Sequence, residues 1–258
     1  MHLFCSTCVG LAFAAALLMP VVTDAAVIRD VAFGNGADTY LSNDGQSANE
    51  GPTGTHGGQT TMLVRNFAGT RMKMAYVRLD LTDITGDMTG GILAFDVLST
   101  ANRDRTFEVW GLTDNSTDDN WSEATTSYNT AAGVIPNPPT ALAQVDIDET
   151  KMTLLGTVGM NGSGAQLLRS DNGQADTTLN LDAFLAADTN DLVTLLIINS
   201  VSDSTASYSF ASKENTTAGV TFVTLELPNA TLVPEPGAMS MLLVGLGALS
   251  CRRRPARA

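Results

Sequence analysis

Cysteine is almost missing from this chain. Three of its 258 residues are cysteine, and Cys5, Cys8 and Cys251 all fall in the terminal segments. Between Val27 and Val233 there is none. That stretch has no disulfide framework, no thiolate zinc site and no cysteine nucleophile. Histidine is as scarce, with two in all. His2 lies at the start, so a Ser-His-Asp triad would have to use His56, and a multi-histidine metal site is excluded. Positive charge is short as well: 14 Lys and Arg stand against 27 Asp and Glu. Setting aside Asp24 and Glu235 leaves 25 acids between 27 and 233, and setting aside the four C-terminal arginines leaves 10 bases. Such a balance argues against nucleic acid and anionic membrane partners. It suits a secreted surface protein or the coordination of cations such as Ca²⁺.

What is present begins at the two ends. Leu3 to Val22 is almost wholly apolar, with Pro20 near its end and small residues at Ala25 and Ala26. Residues 1–26 read as a secretory signal peptide for the Sec machinery, cleaved near Ala25 or Ala26. The n-region departs from the usual pattern in having no Lys or Arg. At the other end stand Val233, Pro234, Glu235, Pro236 and Gly237, an apolar segment over 238–251, and a basic tail over 252–258 with Arg252, Arg253 and Arg254. Two prolines bar helix from running back through the motif. The apolar run is shorter than the ~20 residues that span a bilayer comfortably, and the arginines behind it would stay cytoplasmic. A short span with a basic stop suits a transient signal better than a permanent anchor. This arrangement resembles the PEP-CTERM sorting signal of bacterial envelope proteins. The resemblance implies delivery to the cell surface, transient membrane association and processing by an exosortase-type enzyme.

Residues 27–232 read as one domain of short strands. Strands are expected over 37–41, 62–66, 73–81, 92–98, 106–112, 192–199, 207–212 and 220–227. In 73–81, Met74, Tyr76, Arg78 and Asp80 alternate with Ala75, Val77, Leu79 and Leu81, the pattern of a half-buried antiparallel strand. The unbroken apolar run 192–199 reads as a central strand. One helix is expected over 182–187, capped by Asn180 or Asp182. Stretches rich in Gly, Asn, Asp and Thr separate these elements, with long connections over 42–60 and 129–150. Strands at this density imply an all-β fold, a jelly-roll-type antiparallel β-sandwich with one short helix.

The segments ADTYL (37–41), LVRN (63–66), AYVRLDL (75–81), GGILAFDVL (90–98), VWGLTD (109–114), NWSEATTSYN (120–129), LDAFL (181–185) and FASKEN (210–215) resemble, in that order, the DNRLRE domain. That family includes carbohydrate-binding modules for alginate-type polysaccharide. The more specific matches are the Trp-Ser-Glu…Ser-Tyr-Asn run and the Phe-Ala-Ser-Lys-Glu-Asn run. The resemblance implies a non-catalytic jelly roll. Its binders are expected to meet uronate carboxylates with Lys and Arg. Here few bases remain, among them Arg65, Arg71, Lys73, Arg78, Arg103, Arg105, Arg169 and Lys213. A neutral glycan or a structural role is therefore weighed beside an anionic ligand.

Candidate residues follow from these motifs. Trp121 and Tyr128 could stack on a sugar, but pinning a long loop over the sandwich edge is the preferred role for Trp121, Glu123 and Tyr128. Glu123 would then accept backbone amides. Lys213, Glu214 and Asn215 should point into an end loop beyond a core Phe210. Asp38, Glu50 and Glu214 form a candidate oxygen-ligand set for a structural Ca²⁺; no cofactor is otherwise required. The acidic pairs Asp118–Asp119 and Asp148–Glu149 read as solvated turns rather than glycosidase carboxylates, and His56 as an exposed loop residue. The expected protein is an exported, non-enzymatic surface protein that binds or organises extracellular polysaccharide. The rivals are a purely structural matrix or adhesion protein and, more weakly, a polysaccharide lyase.

Overall fold

The computed structural model describes residues 25–44, 50–67, 71–99, 104–114, 118–136, 147–161, 165–174, 176–199, 201 and 207–233. The expected signal peptide up to 24, and the sorting signal beyond Val233, lie outside them.

The described residues are nearly all β. In chain order the strands are β1 (Val27–Asp30), β2 (Ala37–Ser42), β3 (Thr61–Phe67), β4 (Arg71–Asp80), β5 (Ile84–Gly86), β6 (Ile92–Ser99), β7 (Arg105–Leu112), β8 (Met152–Met160) and β9 (Gln166–Arg169). After helix α1 (Asp182–Ala186) come β10 (Leu192–Asn199), β11 (Tyr208–Ala211), β12 (Thr224–Leu227) and β13 (Ala230–Leu232). Every strand pairing is antiparallel. One run of neighbours is β2–β4–β10–β7–β8. Another gathers around β6, with β9 on one edge and β11 and β12 along the other, and β1 outside β12. β3 joins the two: its end, from Arg65 to Phe67, pairs with β4, while Thr61 to Val64 pair with β11. The sheet therefore curls over on itself, as in an all-β sandwich.

The fold is built on alternation. Ala75, Val77 and Leu79 of β4, Phe107 and Val109 of β7, and Leu195 and Ile197 of β10 share one core with Phe95 and Val97 of β6, Phe210 of β11 and Leu225 of β12. The rings of Phe107 and Phe210 meet edge-on at 5.2 Å, and those of Phe95 and Phe210 lie 4.8 Å apart. Burying each such side chain contributes about 1.5–3 kcal/mol.

β4 is not half-buried as its alternation suggested. From Met72 to Asp80 every residue is buried. A second apolar cluster holds Met74 and Tyr76 of β4, Leu196 and Ile198 of β10, Leu112 and Met152, with Tyr128, Ala131 and Val134 from the connection after β7. That connection lies over the outer face of the sheet and makes β4 and β10 two-sided. The helix stops one residue earlier than expected, at Ala186, and its N-cap is Leu181 with no side-chain cap bond. Asn180 Oδ1 instead accepts the Asp182 amide at 3.1 Å. No helix among the described residues is long and apolar enough to cross a membrane.

Candidate functional site

The two sequence motifs converge on β2. Among the described residues β2 has a single strand partner, β4, which leaves its far edge to be met by loops. The Asp38 amide donates to Glu123 Oε1 at 2.8 Å. The Lys213 amide donates to Asp38 Oδ2 at 2.8 Å. The Lys213 ammonium pairs with Glu123 and donates to the Gly36 carbonyl at 3.3 Å. Asp38, Glu123 and Glu214 each place a carboxylate oxygen within 4.8 Å of the other two. Asp38 is 1% exposed. Its Oδ1 and Glu214 Oε2 are both buried without a hydrogen-bond partner. Burial, reinforced by the Glu214 and Glu123 charges and opposed by the Lys213 amide and ammonium, pushes the Asp38 carboxyl up to about 7.

Glu50, the third residue of the expected cation set, is not in this cluster. Its Oε2 lies 2.6 Å from Lys73 Nζ, and its Oε1 accepts the Tyr40 hydroxyl at 3.2 Å. Burial would raise the Glu50 carboxyl, but Lys73 and Tyr40 outweigh it and hold it below the usual range. His56 is buried rather than exposed. Its ring stacks on Tyr40 at 4.0 Å and 10°, and burial, helped by Lys73 and opposed by Glu50, holds its imidazole lower than usual.

Hydrogen bonds to the 50–60 loop tie both motifs down. Asn129 donates its amide to Pro52 O at 3.0 Å. The Ser212 hydroxyl donates to Gln59 O at 2.6 Å, and Asn215 Nδ2 donates to Thr60 O at 3.1 Å. Gly57 is glycine because a Cβ there would stand 2.6 Å from the Glu123 carbonyl.

Arg78 fixes the Trp-Ser-Glu loop from below. Its Nε and Nη2 donate to Asn35 O at 2.8 and 2.6 Å, and its Nη1 donates to Asp119 O at 2.8 Å and Trp121 O at 2.7 Å. Trp121 packs on Tyr76 with ring centroids 4.8 Å apart, and its indole N–H donates to the Thr194 hydroxyl at 3.1 Å. Tyr128 is 1% exposed. Neither ring is presented as a free platform. Asp119 is buried, not a solvated turn residue, while its neighbour Asp118 pairs with Lys151 at 2.9 Å.

Among the described residues the bases named above form no single patch. Lys73, Arg78 and Lys213 are held as described, Arg169 pairs with Glu226 and Asp171, and Arg103 lies outside the described residues. Arg65 and Arg71 do share a neighbour: their guanidinium carbons lie 5.3 and 5.5 Å from the Phe67 ring centroid.

Sequence reasoning missed a second acidic region. A cavity of about 370 Å³ beside α1 is walled by Leu154, Leu155 and Phe184, with Asp114 and Asp188 among its lining. Asp114 accepts the Thr189 amide at 2.9 Å and Asn190 Nδ2 at 3.0 Å. Burial, then the Asp114 charge, pushes Asp188 up to about 6. Its unfolded carboxyl ionises near 3.9, so between about pH 4 and 6 the unfolded chain releases a proton that the fold retains. Stability from this group is present at low pH and lost as pH rises through about 6. Asp188→Asn should therefore raise the melting temperature at pH 7.5 by about 2–4 °C, a gain of about 1 kcal/mol after solvent screening. Near pH 4 it should change nothing. Melting curves of both proteins across pH 4–8 check this.

The sequence matches no protein-family model, and no curated protein aligns with it significantly.

Proposed function

We propose that this protein is an exported, non-catalytic β-sandwich of jelly-roll type that binds or organises extracellular polysaccharide at a bacterial surface. The resemblances to the DNRLRE domain and to the PEP-CTERM signal support this reading. The observation that carries it is the partly exposed trio of Phe67, Arg65 and Arg71 at the paired ends of β3 and β4, where Arg71 Nε also lies 3.8 Å from Asp44 Oδ1 and keeps part of its charge balanced. An aromatic face accepts the C–H side of a sugar ring, and guanidinium groups match carboxylates in a two-pronged geometry. The ligand class it suits is a polyuronate, met at a local cationic spot on an otherwise acidic protein.

Calorimetric titration against anionic and neutral polysaccharides tests it. Polyuronate should bind, more weakly at high salt. Phe67→Ala and Arg71→Ala should each weaken binding at least about tenfold, a cost of about 1.4 kcal/mol, without lowering the melting temperature much. Silence across both polymer classes, from folded protein, would favour the structural-matrix reading. One observation favours that rival: the motif residues Trp121, Glu123, Tyr128 and Lys213 bond inward. Shortening of the polymer during the titration would instead revive the lyase.

A further inference from the structure

We propose that Asp38, Glu123 and Glu214 form a Ca²⁺ site that clasps the Trp-Ser-Glu loop and the Lys-Glu-Asn loop to the free edge of β2.

Three carboxylates within 4.8 Å of one another would not by themselves make a site. What points to a ligand is the state of their oxygens. Asp38 is almost wholly buried, and its Oδ1 has no partner although its Oδ2 takes the Lys213 amide. Glu214 Oε2 is buried and unpartnered too. A buried carboxylate oxygen without a donor is costly, and these two belong to side chains from different chain segments whose carboxylates approach within 4.8 Å. Lys213 answers only part of the charge. Its ammonium rests on Glu123 and on the Gly36 carbonyl, so one cationic group serves three carboxyl groups.

A hard dication satisfies such a group. Oxygen-only donors exclude the softer metals, and carboxylates from three separate segments suit Ca²⁺, which accepts 6–8 oxygens in irregular geometry. Mg²⁺ demands a tighter octahedron and gives up water reluctantly. The remaining positions would be filled by water. The three ligands come from β2, from the connection after β7 and from the loop after β11. An ion there would therefore join segments 85 and 175 residues apart along the chain, as the Asp38–Glu123 and Asp38–Lys213 bonds already do. The inference does not depend on what polysaccharide, if any, the protein binds.

The test is calcium titration of the chelator-stripped protein at pH 7.5, by calorimetry and by thermal melting. The expected result is one Ca²⁺ per chain and a melting temperature raised by about 5–10 °C at a hundredfold excess over Kd. Mg²⁺ at the same concentration should give less than a tenth of that affinity. Asp38→Asn and Glu214→Gln should each weaken Ca²⁺ binding at least about a hundredfold. Glu214→Gln is the safer of the two, since the Asp38 carboxylate also accepts the Lys213 amide and ties the loop to β2. Three results would overturn the proposal. One is a folded wild-type protein indifferent to Ca²⁺. Another is an unchanged calcium response in Glu214→Gln, which would move the site elsewhere. The third is a variant that stabilises the protein while the wild type takes up no calcium, which would mean that the cluster holds a proton instead.

Discussion

Arg78→Met should destabilise the fold by about 3–5 kcal/mol, the range for breaking a buried charged network from one side. The side chain is of similar length and fills the same channel, so what is lost is the guanidinium. Three carbonyls, on Asn35, Asp119 and Trp121, would lose four donor contacts of 2.6–2.8 Å. Each buried acceptor left without a donor costs about 1–3 kcal/mol. The guanidinium also lies 5.3 Å from the Trp121 ring centroid, so its removal loosens the indole from the sheet. Arg78→Lys keeps the charge but not the planar fork that reaches carbonyls in two directions, and should recover less than half of the loss. Urea unfolding followed by tryptophan fluorescence measures both. A Met variant within about 1 kcal/mol of the parent would mean that the loop is held by its apolar contacts instead.

The role of Arg78 shows where the sequence is legible and where it is not. Strict alternation along β4 gives away the strand and its inner face. An arginine on the opposite face then reads as solvated, because nothing local reveals that residues 118–136 come back over that face. The sequence holds one hint: Met74 and Tyr76 share that face with Arg78, and two large apolar residues there call for a cover. β8 was missed for a related reason. Its Met-Thr-Leu-Leu-Gly-Thr-Val-Gly-Met sequence carries a bulge opposite Val109/Trp110 and a Gly156 at φ +135. The period of two breaks and the buried positions fall out of step. β5 and β13 are three residues each, too short to carry any period.

The candidate site divides the same way. Residue types in the two motifs marked Trp121, Glu123, Tyr128, Lys213, Glu214 and Asn215, and the structure gathers Glu123, Lys213, Glu214 and Asn215 around the edge of β2 and the loop beside it, while Trp121 packs on Tyr76 over β4 and β10. Tyr128 belongs to the apolar cover. The partner of Asp38 was not legible. Glu50 is twelve residues away and Glu123 is 85 away, and only the path of the loop over the sheet decides between them. Lys73, opposite Ser42 on the neighbouring strand β4, draws Glu50 away from Asp38.

Phe210→Ala is the other large effect, at about 3–5 kcal/mol, because a buried aromatic replaced by alanine loses both transfer energy and packing. Phe210 is fully buried and touches rings from two other strands, Phe95 at 4.8 Å and Phe107 at 5.2 Å. It sits where the two layers of the curled sheet meet. It is also the first residue of the run that continues into Ser212, Lys213, Glu214 and Asn215, so the core anchors the loop that completes the carboxylate cluster. Phe210→Leu retains most of the volume and should cost under about 2 kcal/mol. Measuring the Lys213 and Glu123 side by exchange of the Asp38 and Lys213 amides separates core from loop. If Phe210→Ala speeds exchange of these two amides no more than it speeds those of β10, the loop moves with the global fold. If they open first, the bonds of Ser212 and Asn215 to Gln59 and Thr60 are too weak to hold the loop once its anchor is gone. A melting temperature unchanged in Phe210→Ala would contradict the packing described for the core itself.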